Sequence, residues 1–188
     1  FEKINLEEKT ESKVAIPVTE AVSHLFYAEE VEVDELMQFI KGPDFPTYGA
    51  IFDVKAIQEV YATGRGRIVI RGKAEIEETK GGRFQIIVSE IPYQVNKALM
   101  IGKIASLVKD HKLEGISDLR DESDRHGIRA VVELKRDANP KSVLNNLYKH
   151  TDLQTTFPAN IVALVDCTPH TINLKQILTE YDKHRQLV

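Results

Sequence analysis

The sequence contains a single cysteine, Cys167, so it cannot close an internal disulfide or build a cysteine-rich zinc centre. No apolar run reaches the roughly 18 residues that a membrane-spanning helix needs. The opening residues, Phe1-Glu2-Lys3-Ile4-Asn5, lack the charged-then-apolar layout of a signal peptide. A soluble, intracellular protein is the expectation, and a start on Phe instead of Met implies residues upstream. The six histidines form no HExxH pair, which argues against a catalytic metal site. Gly64-x-Gly66 lacks a third glycine and precedes a strand, which removes the dinucleotide-binding reading. What is present is 188 residues, 42% hydrophobic and 29% charged, which suits one globular domain or a domain with an extension.

A surplus of positive charge is also missing, since the formal net charge is -4. That sum hides a polarised distribution. Residues 1–36 carry ten acidic and three basic side chains, whereas residues 37–188 carry 22 basic and 19 acidic ones. The acidity is local to the front, and residues 1–30 read as an arm, with Ile16-Pro17 interrupting any long helix.

Asp34 is placed to cap a short helix bearing Leu36, Met37, Phe39 and Ile40, which Gly42-Pro43 stops. A strand at Gly49–Phe52 and a helix through Val54, Ile57, Val60 and Tyr61 follow. Residues 67–78 alternate, with Ile68, Ile70, Ala74 and Ile76 opposite Arg67, Arg71, Lys73, Glu75 and Glu77, the pattern of one half-buried strand. Gly81-Gly82 turns it into Phe84–Val88, an antiparallel hairpin. A helix over about 94–111 follows Pro92, with Val95, Leu99, Ile104, Leu107 and Val108 inside and Lys97, Lys103 and Lys109 outside. Ile116–Leu119 and Ile128–Leu134 are strand candidates, and Asn139-Pro140 starts a helix burying Val143, Leu144, Leu147 and Tyr148. Asn160–Val165 reads as a strand. Asn173 caps a last helix whose stripe of Leu174, Ile177, Leu178 and Tyr181 still runs at Val188, as in a longer helix cut short. Helices and antiparallel strands without a βαβ rhythm define an α+β fold.

Chemistry concentrates at Thr63-Gly64-Arg65-Gly66-Arg67, continued by Arg71 and Lys73. Two readings stand. Glycines could admit backbone amides to a phosphate while alternating cations line a nucleic-acid backbone, or the segment is a glycine turn with solvated charges. Asp121, Ser123, Asp124 and His126 have the residue types of a hydrolytic triad, but neighbours within one turn seldom converge. Glu114, Asp118, Asp121, Glu122 and Asp124 could hold a divalent ion or form a solvated loop paired with Arg120 and Arg125.

Longer words in the chain are distinctive: Gly42-Pro43-Asp44-Phe45-Pro46-Thr47, Tyr61-Ala62-Thr63-Gly64-Arg65-Gly66-Arg67 and Glu90-Ile91-Pro92-Tyr93-Gln94-Val95-Asn96-Lys97. Glu114 to Asp124, Glu133 to Ala138 and Leu144 to Tyr148 continue in the same order. Over residues 31–188 they resemble the A subunits of type IIA DNA topoisomerases, bacterial DNA gyrase and nearly as well topoisomerase IV. Departures fall at Tyr48, where a small residue is usual, at Leu99 and Gly102 in place of Arg and Glu, at Pro158, and at Cys167-Thr168 in a usual Asp-Gly turn.

The resemblance implies an acidic arm or divergent connection over 1–30, a tower domain over 31–170 and the start of a long coiled-coil helix over 171–188. The tower would be an antiparallel sheet with packed helices that supports the arms of a bent duplex. Arg65, Arg67, Arg71, Lys73, Lys97 and Lys103 are the expected DNA contacts, and a non-catalytic interaction module is the alternative. The catalytic tyrosine of such enzymes lies in an Arg-Tyr-Thr-Glu context, which none of Tyr27, Tyr48, Tyr61, Tyr93, Tyr148 or Tyr181 has. No catalytic residue, metal site or bound cofactor is therefore expected here. In the intact enzyme the resemblance implies ATP and magnesium held through a partner B subunit, pairing with another copy of the A chain, duplex DNA as substrate, no membrane, and a nucleoid-associated place in the cytoplasm.

Overall fold

Local chemistry decides where most elements begin. Asn139 accepts hydrogen bonds from the amides of Lys141 and Ser142 with Pro140 in the first turn, which starts a helix over Pro140–His150. Asp53 accepts from Ala56 N and starts Val54–Thr63. Asn96 accepts from Leu99 N and starts Lys97–Lys109. The last of these begins three residues later than the periodicity predicts, because Gln94 adopts φ 65° and cannot belong to a right-handed helix.

The computed structural model describes residues 4–5, 18–23, 31–79, 81–125 and 127–187. Most of the predicted arm, Tyr27, Lys80 of the hairpin turn, His126 and Val188 therefore lie outside the described residues. The elements run β1 (Ile4–Asn5), α1 (18–23), α2 (Val33–Leu36), β2 (Ala50–Ile51), α3 (Val54–Thr63), β3 (Arg65–Arg71), β4 (Ala74–Glu78) and β5 (Phe84–Val88). They continue with α4 (Lys97–Lys109), β6 (Ile116–Asp121), β7 (Ala130–Leu134), α5 (Pro140–His150), β8 (Gln154–Asn160), β9 (Val162–Val165), β10 (Thr168–Thr171) and α6 (Leu174–Leu187). The fold is α+β.

Two units divide the chain. One comprises residues 1–44, 51–69 and 156–188, and the other residues 45–50 and 70–155. In the second, β4-β5-β7-β6 form an antiparallel sheet with registers Ile76↔Ile86 and Ile86↔Val132. One face of that sheet builds the core: Ile86, Val88, Val132 and Leu134 pack with Met100 and Ile104 of α4 and with Val143 and Leu147 of α5. In the first unit, α2, α3 and α6 pack on one another around Leu36, Ile57, Val60, Leu174 and Leu178. β1, β2, β3 and β8 form a further four-stranded sheet in the order β1-β2-β3-β8.

Several expectations are corrected. The alternation over 67–78 is two strands in two sheets, because Gly72 breaks it. A Cβ at Gly72 would lie 2.5 Å from the Glu90 carbonyl oxygen and 2.7 Å from Leu153 Cδ1. The Gly72 amide donates to Leu153 O at 2.8 Å instead of continuing a ladder. Asp34 does not cap α2, whose cap position is Glu32; its carboxylate accepts from the Gln58 side chain. Leu99 is not inside α4 but 73% exposed, while Met100, one position on, is buried. The predicted strand at Asn160–Val165 is the end of β8 and the start of a β9–β10 hairpin. In that hairpin Asp166 and Cys167 take φ 49° and 64°, the two positive values of a tight two-residue turn.

Three substitutions test these assignments by denaturant midpoint at constant m-value. Gly72→Ala is expected to cost about 1–3 kcal/mol through overpacking against backbone. Gly102→Ala fills open space inside α4 and should gain about 0.5–1 kcal/mol. Cys167→Gly should gain about 1 kcal/mol by removing a side chain from a left-handed position. No loss from Gly72→Ala would contradict the close approach.

Candidate nucleic-acid interface

The two glycines of the Thr63–Arg67 segment serve the fold. Gly64 ends α3 in the left-handed conformation, φ 75°, with its amide bonded to Val60 O at 2.8 Å. A Cβ there would meet Ile172 O at 2.5 Å, and one at Gly66 would meet Val60 Cγ2 at 2.5 Å. The Arg65 amide donates to Thr63 Oγ1 at 3.2 Å. The amides of Gly64 and Arg65 are therefore committed and cannot cradle a phosphate, which corrects that part of the sequence reading.

The side chains are another matter. Arg65, Arg67 and Arg71 stand at alternate positions of β3, while Lys73 lies beyond the strand end, off the single face that the alternation predicts. In the first unit, Arg65 is exposed, its Nε donating to Asn160 Oδ1 at 3.3 Å and its Nη2 to Thr171 Oγ1 at 2.9 Å. Both partners are neutral, so these bonds orient the guanidinium without compensating its charge. Arg67 is exposed and has no hydrogen-bond or carboxylate partner among the described residues.

In the second unit the cations are engaged. Arg71 is half-buried, donates to Gln154 Oε1 at 2.6 Å and stands 5.3 Å over the Tyr148 ring. Lys73 lies 3.9 Å from Glu75, Lys97 2.8 Å from Asp121 and Lys103 2.9 Å from Asp152. Such half-exposed pairs contribute about 0–1 kcal/mol each, so a phosphate could displace the carboxylate at little cost. The sequence-based set omits Arg83 and Arg136, which the structure brings to one cleft. The available signal was positional: Arg83 directly precedes β5 and Arg136 follows β7, at the same end of the antiparallel β5–β7 pair.

The acidic residues do not assemble a metal site. Arg120 reaches Glu133 at 2.6 Å and Glu122 at 3.6 Å, and Arg129 reaches Glu122 at 3.1 Å. No three His, Cys, Asp or Glu side chains converge on a metal position among the described residues, so the donor set does not fit magnesium. Ser123 Oγ accepts from Arg129 N at 2.9 Å, a loop contact and not a nucleophile–base pair. Burial pushes the Tyr61 phenol up to about 12 and raises Tyr148, whose hydroxyl donates to Gly72 O at 2.9 Å. No helix among the described residues is long and apolar enough to cross a membrane.

Residues 15–188 match the family of DNA gyrase/topoisomerase IV A subunits. The chain belongs to that family. The match begins upstream of residue 31, so it takes in half of the segment that the sequence words leave unmatched. The DNA gyrase A protein of Clostridium acetobutylicum is 53% identical over 171 residues, which is 91% of this chain and 21% of that protein. Its Pseudomonas aeruginosa counterpart is 56% identical over 161 residues, 85% of this chain and 17% of its own length. The Staphylococcus epidermidis counterpart is 51% identical over 172 residues, 91% and 19%. The chain thus spans about a fifth of the curated gyrase A proteins it matches.

The Lys97–Asp121 pair gives a pH test. Hydrogen bonds from Lys97 and then Ser123 hold the Asp121 carboxyl at about 2, below its ordinary 3.8. A depressed carboxylate stabilises above its unfolded value, so this contribution is present above about pH 4 and is lost as pH falls toward 2. Asp121→Asn should flatten that acid limb slightly, because the side chain is 39% exposed and screened. An identical limb in acid titration of stability would show that the pair does not form in solution.

Proposed function

We propose that this chain is the non-catalytic, DNA-supporting part of a type IIA topoisomerase A subunit. It holds the arms of a bent gate duplex by phosphate contacts that read no sequence. The observation that carries the reading is Arg65, oriented by Asn160 and Thr171, beside Arg67, neither having a carboxylate partner among the described residues. Arg71, Lys73, Lys97 and Lys103 join as secondary contacts, each giving up its present partner for a phosphate. Membership of the gyrase/topoisomerase IV A family supports the same assignment.

In the intact enzyme, as we read it, a tyrosine outside this chain attacks each strand of the gate duplex while a second duplex passes through. The cycle runs with ATP and magnesium supplied through a partner B subunit, two A and two B chains assembling on duplex DNA in the nucleoid. The raised phenols of buried Tyr61 and half-buried Tyr148 agree with a supporting role.

Affinity for a short duplex should fall steeply with salt, by about 0.9 in log–log slope for each phosphate neutralised. Replacing Arg65 and Arg67 together by Gln should lower the slope by about 1.8 without changing sequence preference. A flat dependence would favour a protein-interaction module instead. The chain alone should leave no covalent protein on DNA after a denaturing quench, and an adduct in that assay would overturn the supporting role.

A further inference from the structure

A second cationic position lies at one end of the β4-β5-β7-β6 sheet. A cleft of about 330 Å³ is lined by Thr79, Gly81, Arg83, Phe84, Leu134 and Arg136. Arg83 closes the hairpin turn, where its carbonyl accepts from Thr79 N at 2.7 Å and from Thr79 Oγ1 at 3.0 Å. Arg136 sits in the turn after β7, closed by the Ala138 amide on Lys135 O at 3.1 Å. Both backbones are therefore fixed by hydrogen-bonded turns. Both side chains are exposed, and neither has a partner among the described residues. Glu133 is the one carboxylate among the described residues that line the cleft, and Arg120 already holds it at 2.6 Å.

Two arginines on fixed turns that line one cleft, with the carboxylate on that cleft engaged, form a site for a phosphate. We infer that the Arg83–Arg136 cleft takes a backbone phosphate of duplex DNA, as a contact additional to Arg65 and Arg67. The choice of a polymer phosphate over a free ion follows from exposure. Arg83, Phe84 and Arg136 all lie open to solvent, so the cleft cannot enclose a small anion but can receive one carried on a larger ligand. Phe84, 37% exposed, supplies an apolar edge for the sugar beside that phosphate. The inference rests on the DNA-supporting reading, and its test separates the two.

Duplex affinity is measured against salt for the unaltered chain, for Arg65→Gln/Arg67→Gln and for Arg83→Gln/Arg136→Gln. The second pair is expected to lower the log–log slope by about 0.9, the value for one phosphate, additively with the first, while Arg83→Lys/Arg136→Lys keeps most of the slope. A slope that falls for the Arg65/Arg67 pair but not for the Arg83/Arg136 pair overturns this inference and leaves the wider reading intact. The reverse result supports the cleft and relocates the main contact. No duplex binding by the unaltered chain overturns both. Amide shifts at Gly81, Gly82 and Arg136 should move with duplex and not with inorganic phosphate alone. Movement with phosphate only assigns the cleft to a small anion and refutes the DNA assignment.

Discussion

A side chain at position 72 has no room. Glu90 O and Leu153 Cδ1 occupy the space that a Cβ would need, so the backbone closes directly on its neighbours. The Gly72 amide bonds to Leu153 O and the Gly72 carbonyl accepts the Tyr148 hydroxyl. Those two hydrogen bonds turn the chain out of β3 before β4 begins. The interruption sets the end of β3, the start of the β4–β5 hairpin and the position of Arg71. That guanidinium lies over the same Tyr148 ring whose hydroxyl reaches Gly72. A residue with any side chain here would press on Glu90 O and Leu153 Cδ1, and an isolated glycine in a strand pattern is the usual mark of such a close approach.

Charge is distributed by the same economy of partners. Lys97, Lys103, Arg120 and Arg129 face carboxylates within about 3 Å across strand or helix surfaces. These pairs hold side chains in place more than they stabilise the fold, since exposed ion pairs contribute little. Arg65 differs in kind. Its two acceptors are an amide and a hydroxyl, which fix direction without cancelling charge. The net charge of -4 conceals this, because an anionic ligand responds to the local potential and not to the sum over the chain.

Much of the fold was legible because the signals were local. The Asn139-Pro140 start, the Gly-Gly hairpin and the stripes of α3 and α5 each need only a few neighbouring residues to be read. What escaped depends on contacts distant in sequence. Gly72 sits inside an unbroken alternation, and only Leu153, far along the chain, shows that the strand must end there. Leu99 matches the helical period, yet Met100 takes the buried position because α4 starts late, behind the left-handed Gln94. The basic residues were visible as a set, but which of them are neutralised was not. Asp152 and Asp121 approach Lys103 and Lys97 only once α4, α5 and β6 have packed.

The start of α6 is fixed from both sides. Asn173 Oδ1 accepts from Gln176 N at 2.8 Å, and Gln176 Oε1 accepts from Asn173 N at 3.0 Å. A reciprocal cap of this kind gives the helix a reference angle as well as a beginning. Each residue beyond it is rotated by about 100° from the one before and advanced by about 1.5 Å. The direction of Tyr181, two turns on from the cap, is thereby indexed to the paired side chains of Asn173 and Gln176. A change of length by one residue between them would leave the cap intact and swing the ring to a different side of the helix.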